Sequence, residues 1–472
     1  MPLAMPVGLL FALLFGVLIW VLPAIKVMAV IVGLAAIVTV IRRPLHGLLI
    51  FGVLATFLPY STVQIGFRTT VSEALLMLVW ASVIVQSALG TQPRMHPLMR
   101  TERMLGALML FSAFPFVVGQ LVINTDGNGP VNWVRWLFNL SALFLVPRLL
   151  YQEKSREHMV IALLLGTLLL LLLSIPIYLK NGTATAITSV LGSLGYGSID
   201  ILSQGLQGLS TRMGSPWMHP NVTGGAMVLF VPLAFCFGVT RTGWPRALGL
   251  AVAILATVGL LLTGSRGALL CLIAVMVWLA RKRVPYIGRI LMAGVVAGAL
   301  LLMFYPPLQE RMLTIFSSDD ASTTVRFMEY SHFPEAMARY PLGIGFKVDP
   351  PVPGTGLWGI SNLWLNLIYK LGIPGMLVFL AVVVTWWRET WGYVPSVALT
   401  RDSSIWLGTL AGLSAALLSG FFDHYFSFTN VLVALFWLLL GLNLHEARRL
   451  KNKIPTLSNN PTPALSDLGS RP

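Results

Sequence analysis

The sequence predicts an all-α, polytopic integral membrane helix bundle of about 12–14 transmembrane helices, with two long outward-facing loops. Three observations carry this. First, 56% of the 472 residues are hydrophobic and only 10% are charged, with a mean hydropathy of +0.80, so no separate soluble domain is visible. Second, apolar runs near membrane-spanning length recur from one end of the chain to the other. Third, Lys and Arg gather in alternate loops. In a soluble chain the net charge of +15 would point to nucleic acid; here most of it follows from the preference of Lys and Arg for cytoplasmic loops. No nucleic-acid partner is expected.

In chain order, the apolar runs lie at about residues 7–22, 25–41, 45–58, 71–90, 105–122, 131–147, 158–179, 220–239, 246–262, 267–280, 288–304, 363–387, 405–420 and 429–445. Several early ones are shorter than the roughly 20 residues of a straight span, so two can be re-entrant or interfacial. The first has no basic residues ahead of it and reads as a retained span, not a cleaved signal. The basic residues, from Arg42, Arg43 and Arg94 through Arg241, Arg281 and Arg388 to Arg448, Arg449, Lys451 and Lys453, fall on one side. That side is read as the cytoplasm, with both termini there. The expected organisation is N-terminal membrane helices over 1–179, a first long periplasmic loop over 180–219 and central helices over 220–304. A large periplasmic loop over 305–362, C-terminal helices over 363–446 and a disordered cytoplasmic tail over 447–472 complete it.

Cys236 and Cys271 lie in separate apolar runs with no Cys/His cluster beside them, so buried apolar packing is expected and neither a disulfide nor a zinc site. Asp319 and Asp320 are adjacent in a Ser-rich stretch without a third ligand nearby, and no metal site emerges. Glu73 and Lys370 stand near the outer ends of apolar runs, where snorkelling accounts for them at least as well as function.

The stretch Thr263-Gly264-Ser265-Arg266-Gly267 sets a full positive charge between two apolar runs. An arginine there costs roughly 2.5–3.5 kcal/mol on insertion scales unless it is paired or hydrated. The flanking glycines permit a tight helix break, so Arg266 can face a cavity that suits phosphate, or it can anchor a helix end at the headgroups. Arg212, Arg311, Arg326 and Arg339 also fall on the outward side, where the topology rule asks for none. Convergent guanidinium groups suit a pyrophosphate clamp, since each presents a planar fork of donors that stays charged. For Arg311 and Arg339, an ion pair with Glu310 or Glu335 competes with that reading.

Histidine supplies a base near neutral pH. His219, His332, His424 and, less directly, His46 can reach the outer boundary. His424 follows Asp423 in the outer turn Phe421-Phe422-Asp423-His424-Tyr425-Phe426, where a carboxylate can orient the ring, although adjacent residues do not face one another on a regular helix. His219 precedes Pro220 at a helix start and can instead satisfy backbone groups there.

Four of these stretches together resemble the family of bacterial O-antigen ligases and O-antigen or exopolysaccharide polymerases. They are Thr263 to Ala268; the loop from Arg326 through Tyr340-Pro341-Leu342-Gly343-Ile344-Gly345-Phe346 and Ser361-Asn362 to Lys370-Leu371-Gly372-Ile373-Pro374-Gly375; His219-Pro220-Asn221 preceded by Arg212; and Phe421 to Phe426. They cover about the C-terminal half of the chain. The resemblance implies metal-independent transfer of a glycan from an undecaprenyl-pyrophosphate carrier to an acceptor hydroxyl, at the periplasmic face of a bacterial inner membrane and without a cofactor. It implies that Arg266, Arg212 and Arg326 bind the pyrophosphate, and that membrane lipid, an acceptor glycan, a flippase and a chain-length regulator are partners. Where members commonly carry His-Asn, this chain has Ser361-Asn362 on the acceptor side. Either the base then falls to His424, with Asp423, or to His219, or the acceptor step differs, and polymerisation of repeat units is favoured over ligation to lipid A core or protein. The rival reading is a non-catalytic transporter of a lipid-linked anionic solute; it asks for midspan charges and paired broken helices, and Arg135 is its one strong candidate.

Overall fold

The computed structural model describes residues 33–35, 37–65, 67–91, 97–122, 128–197, 199–207, 209, 211–304, 306, 309, 321–347, 359–393, 398–428 and 430–453. The expected run 7–22, most of 25–41, and Arg94, Arg311, Asp319 and Asp320 lie outside them.

Backbone groups in hydrocarbon find no water, so each apolar run closes its own hydrogen bonds as a helix. We number the principal helices α1 (Pro44–Phe57), α2 (Val71–Ala88), α3 (Arg100–Phe111), α4 (Ala113–Val122), α5 (Gly129–Ser141), α6 (Glu153–Asn181) and α7 (Pro220–Thr240). They continue with α8 (Gly243–Thr263), α9 (Arg266–Arg281), α10 (Ile287–Phe304), α11 (Ala321–Arg339), α12 (Leu363–Tyr393), α13 (Ser404–Ser419) and α14 (Asn430–Lys453). Among the described residues, eight helices are long and apolar enough to cross a membrane, with α3 and α4 counted as one; α1 and α13 are shorter apolar helices. The chain is an all-α, multi-pass membrane bundle.

α7 and α14 are buried along nearly their whole length and form its centre with α13, whereas α10 is exposed along nearly all of its own. α7 and α8 cross so closely that a Cβ on Gly249 would lie 2.6 Å from the Gly238 Cα. Small residues at such crossings replace the hydrophobic drive that lipid cannot supply.

The helices end in two polar layers. At one end, the basic end, Arg156 pairs with Glu446, and Arg449 reaches Glu446 at 2.8 Å and Glu153 at 3.2 Å. There too Arg241 meets Glu157 at 2.6 Å, His445 meets Glu102 at 3.0 Å, and Glu389 accepts from the backbone N–H groups of Arg100 and Thr101. The opposite end gathers the first residues of α7, α9 and α12 and the last of α13.

The structure departs from expectation in four places. Residues 62–70 form an antiparallel hairpin, β1 (Thr62–Ile65) with β2 (Phe67–Thr70), pairing Val63 with Thr69; its Thr and Val residues suit strands, but the segment was too short to stand out between two apolar runs. The long loops carry helices of their own: Ala184–Ile187, Thr188–Ser193 and Ile199–Gln207 in the first, and α11 in the second. α14 runs on to Lys453, so residues 447–453 are helical and no part of a disordered tail; Glu446 and Arg449 tie that turn into the basic end. Glu73 and Lys370 do not snorkel, for both are buried. Glu73 closes a capping box with Thr70 and meets Arg135 at 3.4 Å. Cys236 and Cys271 are free and buried.

Candidate functional site

The α8–α9 junction is a tight break. Gly264 takes a left-handed φ of +60° and its N–H bonds to the Leu261 carbonyl, ending α8 with the conformation that glycine adopts most easily. Ser265 then takes the N-cap position of α9 without a side-chain capping bond, and the first helical residue, Arg266, has its Nη1 buried. Two bonds fasten this junction to the first long loop: Met213 N–H donates to the Leu262 carbonyl at 2.9 Å, and Arg212 Nε donates to the Thr263 carbonyl at 2.7 Å.

Arg212 is 2% exposed, and its Nη2 also bonds Asn221 Oδ1. It therefore lies across the start of α7. His219 is the N-cap of that helix, with its Nδ1 accepting from the Asn221 N–H at 3.1 Å, and Pro220 occupies the first helical position. Burial, reinforced by the charge of Arg212, lowers the His219 pKa to about 4. The ring is thus neutral at pH 7, and with Nδ1 occupied as an acceptor its proton sits on Nε2. His219 is a donor in this arrangement.

The turn 420–424 faces both segments. Asp423 and His424 lie outside any helix, which removes the objection that neighbours on a helix cannot meet. Asp423 Oδ1 accepts from the His424 N–H at 2.8 Å and stands 3.2 Å from His424 Nδ1. Burial works against the Asp423 charge, but the hydrogen bonds from His424, with the charge of Arg326, outweigh it and hold the carboxyl below its usual range. Tyr425 hydrogen-bonds Ser265 and Asp423, joining this turn to the α8–α9 junction. Gly267 packs against Phe422, where an added Cβ would come 2.7 Å from the Phe422 Cβ.

The third wall is the corner 359–366. Asn362 caps α12 through its Oδ1, which accepts from Trp364 and Leu365, while its Nδ2 donates to the Phe421 carbonyl at 3.2 Å. Asn366, fully buried, holds the Ile360 N–H and donates to Ser427. Above it lies α11. Glu329 accepts from the Ser361 N–H at 2.6 Å, and Tyr330 donates to the Ser361 carbonyl at 3.3 Å. Burial raises the Glu329 pKa, against the opposing pull of the Ser361 hydrogen bond and the nearby His424. Arg326, one turn earlier, acts on Asp423, Tyr330 and Tyr425; its Nε is buried and has no hydrogen-bond partner among the described residues.

The glycine-rich motif of the second long loop does a different job. Ile344 and Gly345 donate to the carbonyls of Tyr369 and Lys370, at 2.9 and 3.0 Å, where α12 breaks at Gly372 with φ +71°. A Cβ on Gly343 would lie 2.6 Å from the Gly372 N. The segment Tyr340 to Phe346 is therefore clipped into the break of α12, backbone to backbone.

The structure thus brings Arg212, His219, Arg326, Ser361, Asn362, Asp423 and His424 around one turn, with Arg266 beside it at the start of α9. It sets Arg339 apart, in an exposed ion pair with Glu335 at 2.8 Å, and leaves His46 exposed at the start of α1. Glu329 was not read from the sequence; its signal was the i, i+3, i+4 spacing of Arg326, Glu329 and Tyr330 on one helical face. No group of three His, Cys, Asp or Glu side chains able to hold a metal ion occurs among the described residues.

Residues 251–380 match the family model described as O-antigen ligase. This stretch is an O-antigen ligase family domain. It holds the α8–α9 break, α11 and the Ser361-Asn362 corner, and it supports a ligase- or polymerase-type role in glycan transfer. Arg212, His219, Asp423 and His424 lie outside the matched residues yet face the matched stretch from the end of the first long loop and the turn between α13 and α14. No curated protein matches the chain.

Proposed function

We propose that the protein transfers a glycan from an undecaprenyl-pyrophosphate carrier to an acceptor sugar hydroxyl at the periplasmic face of a bacterial inner membrane, polymerising O-antigen or exopolysaccharide repeat units. The observation that carries this reading is the meeting of arginines with an Asp–His pair at one turn. Arg212 and Arg326, with Arg266 at the helix start beside them, hold the pyrophosphate, and the N-terminal ends of α7, α9 and α12 add favourable dipoles for an anion. Asp423 on Nδ1 leaves His424 Nε2 as the base that takes the acceptor proton. The reaction breaks the bond between the anomeric carbon and the pyrophosphate oxygen and forms one to the acceptor oxygen; the carrier departs as a pyrophosphate whose charge the arginines offset. Glu329 fixes the Ser361-Asn362 corner beneath α11, where the acceptor enters. Both termini lie in the cytoplasm in this reading, and a flippase and a chain-length regulator are its partners.

A second reading has one observation in its favour, the description of the matching family as ligase: attachment of finished polymer to lipid A core or protein. One strain separates the two. In cells lacking the protein, accumulation of lipid-linked single repeat units without long chains is the expected outcome. Long chains still built on the carrier but never attached to a final acceptor would replace polymerisation with ligation, and normal surface polysaccharide would reject both.

A further inference from the structure

Beside His219 lies a cavity of about 280 Å³, lined in part by polar side chains, that the reaction above does not use. Its walls come from the hairpin (Thr62, Thr69), α2 (Glu73), α5 (Arg135) and the first long loop (Tyr196, Met218). Glu73 is 4% exposed and already serves three structural partners through Oε2, accepting from Thr69 Oγ1 at 3.0 Å and the Thr70 N–H at 3.4 Å and standing 3.4 Å from Arg135 Nη2. Its other oxygen, Oε1, is buried with no hydrogen-bond partner among the described residues. A buried carboxylate oxygen without a partner is costly, and an occupant that donates to it removes the cost.

We propose that this cavity binds one pyranose ring of a glycan through its hydroxyl groups. A carboxylate and a guanidinium together leave the cavity without net charge, so a free anion or cation meets one repulsive wall, and an apolar group would strand both. A ring bearing adjacent hydroxyls suits each wall: one donates to Glu73 Oε1, and others accept from the guanidinium and the threonine hydroxyls. The volume lies just below the roughly 300–1,000 Å³ of drug-sized sites, which matches a single ring and excludes a long oligosaccharide. Tyr196 offers an aromatic face fixed by its hydroxyl, which donates to the Pro216 carbonyl at 2.8 Å. Met218 closes the cavity in a left-handed conformation (φ +64°), unusual for a side chain of its size, and is bonded directly to His219, which feels the charges of Arg212 and Asp423. The cavity and the arginine turn are therefore the two faces of one short segment. That the ring belongs to the transferred or the accepting glycan rests on the proposed function; sugar binding itself does not.

The test uses the full-length protein in detergent with a thiol introduced at the rim by Thr62→Cys, the native Cys236 and Cys271 being buried. Oligosaccharide released from the host's surface polysaccharide should slow maleimide labelling, about five-fold at a concentration about four times its Kd. Sugar-free undecaprenyl pyrophosphate should leave the rate unchanged. Protection should vanish in Glu73→Gln. Because Glu73 also caps α2, Gly197→Leu provides a second variant: it fills the cavity without touching the ion pair and should abolish protection equally. Protection by free oligosaccharide assigns the ring to the acceptor, and protection by oligosaccharide pyrophosphate alone assigns it to the donor. An unchanged labelling rate with both, persistence of protection in both variants, or equal protection by the sugar-free carrier overturns the proposal. Polymer length in Arg266→Ala cells tests the reaction separately, so either reading can fail while the other stands.

Discussion

The basic end and the turn 420–424 set their arginines against different acceptors. At the basic end, guanidinium groups touch carboxylates: Arg156 meets Glu446, Arg241 meets Glu157 at 2.6 Å, and Arg449 meets Glu446 at 2.8 Å. At the turn 420–424, Arg212 donates to the Thr263 carbonyl and Asn221 Oδ1, and Asp423 is engaged by His424, while at the same end Arg135 meets Glu73 at 3.4 Å. Paired charges cancel and lock helices together. A guanidinium oriented by neutral acceptors keeps its field and can lend it to a ligand.

Substitution should separate the ends. The largest effect is expected at the site: Arg266→Ala and Arg326→Ala should each abolish polymer while leaving the protein in the membrane, a loss of about 10²-fold or more for a charge-stabilising donor. Polymer gels beside membrane immunoblots measure both, and normal chain length in either variant would remove that arginine from the clamp. His424→Ala should slow transfer by roughly 10²–10⁴-fold, as loss of a general base does, and by more than His219→Ala. The reverse ranking, read from the rate of repeat-unit consumption in vesicles, would move the base to His219.

At the basic end the effect should be on stability. Glu446→Ala strands Arg156 and should cost roughly 3–5 kcal/mol, whereas Arg156→Met with Glu446→Leu should regain most of it, since a buried pair stabilises little beyond an apolar one. Thermal unfolding in detergent reports both. The smallest effect concerns pH. The folded-state value of His219, about 4, lies below its ordinary 6.5, so the unfolded chain takes up the proton first. The stability that His219 contributes is complete above about pH 6.5 and is lost as pH falls toward 4. Acidification should therefore lower the unfolding temperature of the wild type more than that of His219→Gln; an equal fall would mean that His219 is not buried as described.

Much of the bundle was legible because hydropathy and charge alternate along the chain with the period a bilayer imposes. Helices α6, α7, α8 and α12 fall where apolar runs place them. The site was legible in pieces. His219, Arg266, Asn362 and His424 each sit at a helix boundary, where glycine, proline and capping residues leave a local mark. What was missed depends on meetings between distant segments. Glu329 becomes meaningful only when Ser361 arrives beneath it. Glu73 was read as snorkelling although Thr70-Val71-Ser72-Glu73 carries the spacing of a capping box, a local signal obscured by the apolar run that follows. The motif from Tyr340 to Phe346 carries a family-like signature, yet its glycines serve a backbone clip at Gly372 and not the ligand.

That clip bears on how force travels. Two peptide bonds from the loop are hydrogen-bonded to the carbonyls that the break in α12 leaves open, so the loop cannot lift without pulling the helix at its weakest point. The cap of α12, Asn362, bonds the Phe421 carbonyl at the head of the Asp423–His424 turn. Loop, helix break and Asp–His turn are thus joined through α12, with the glycine break at one end of the connection and Asn362 at the other.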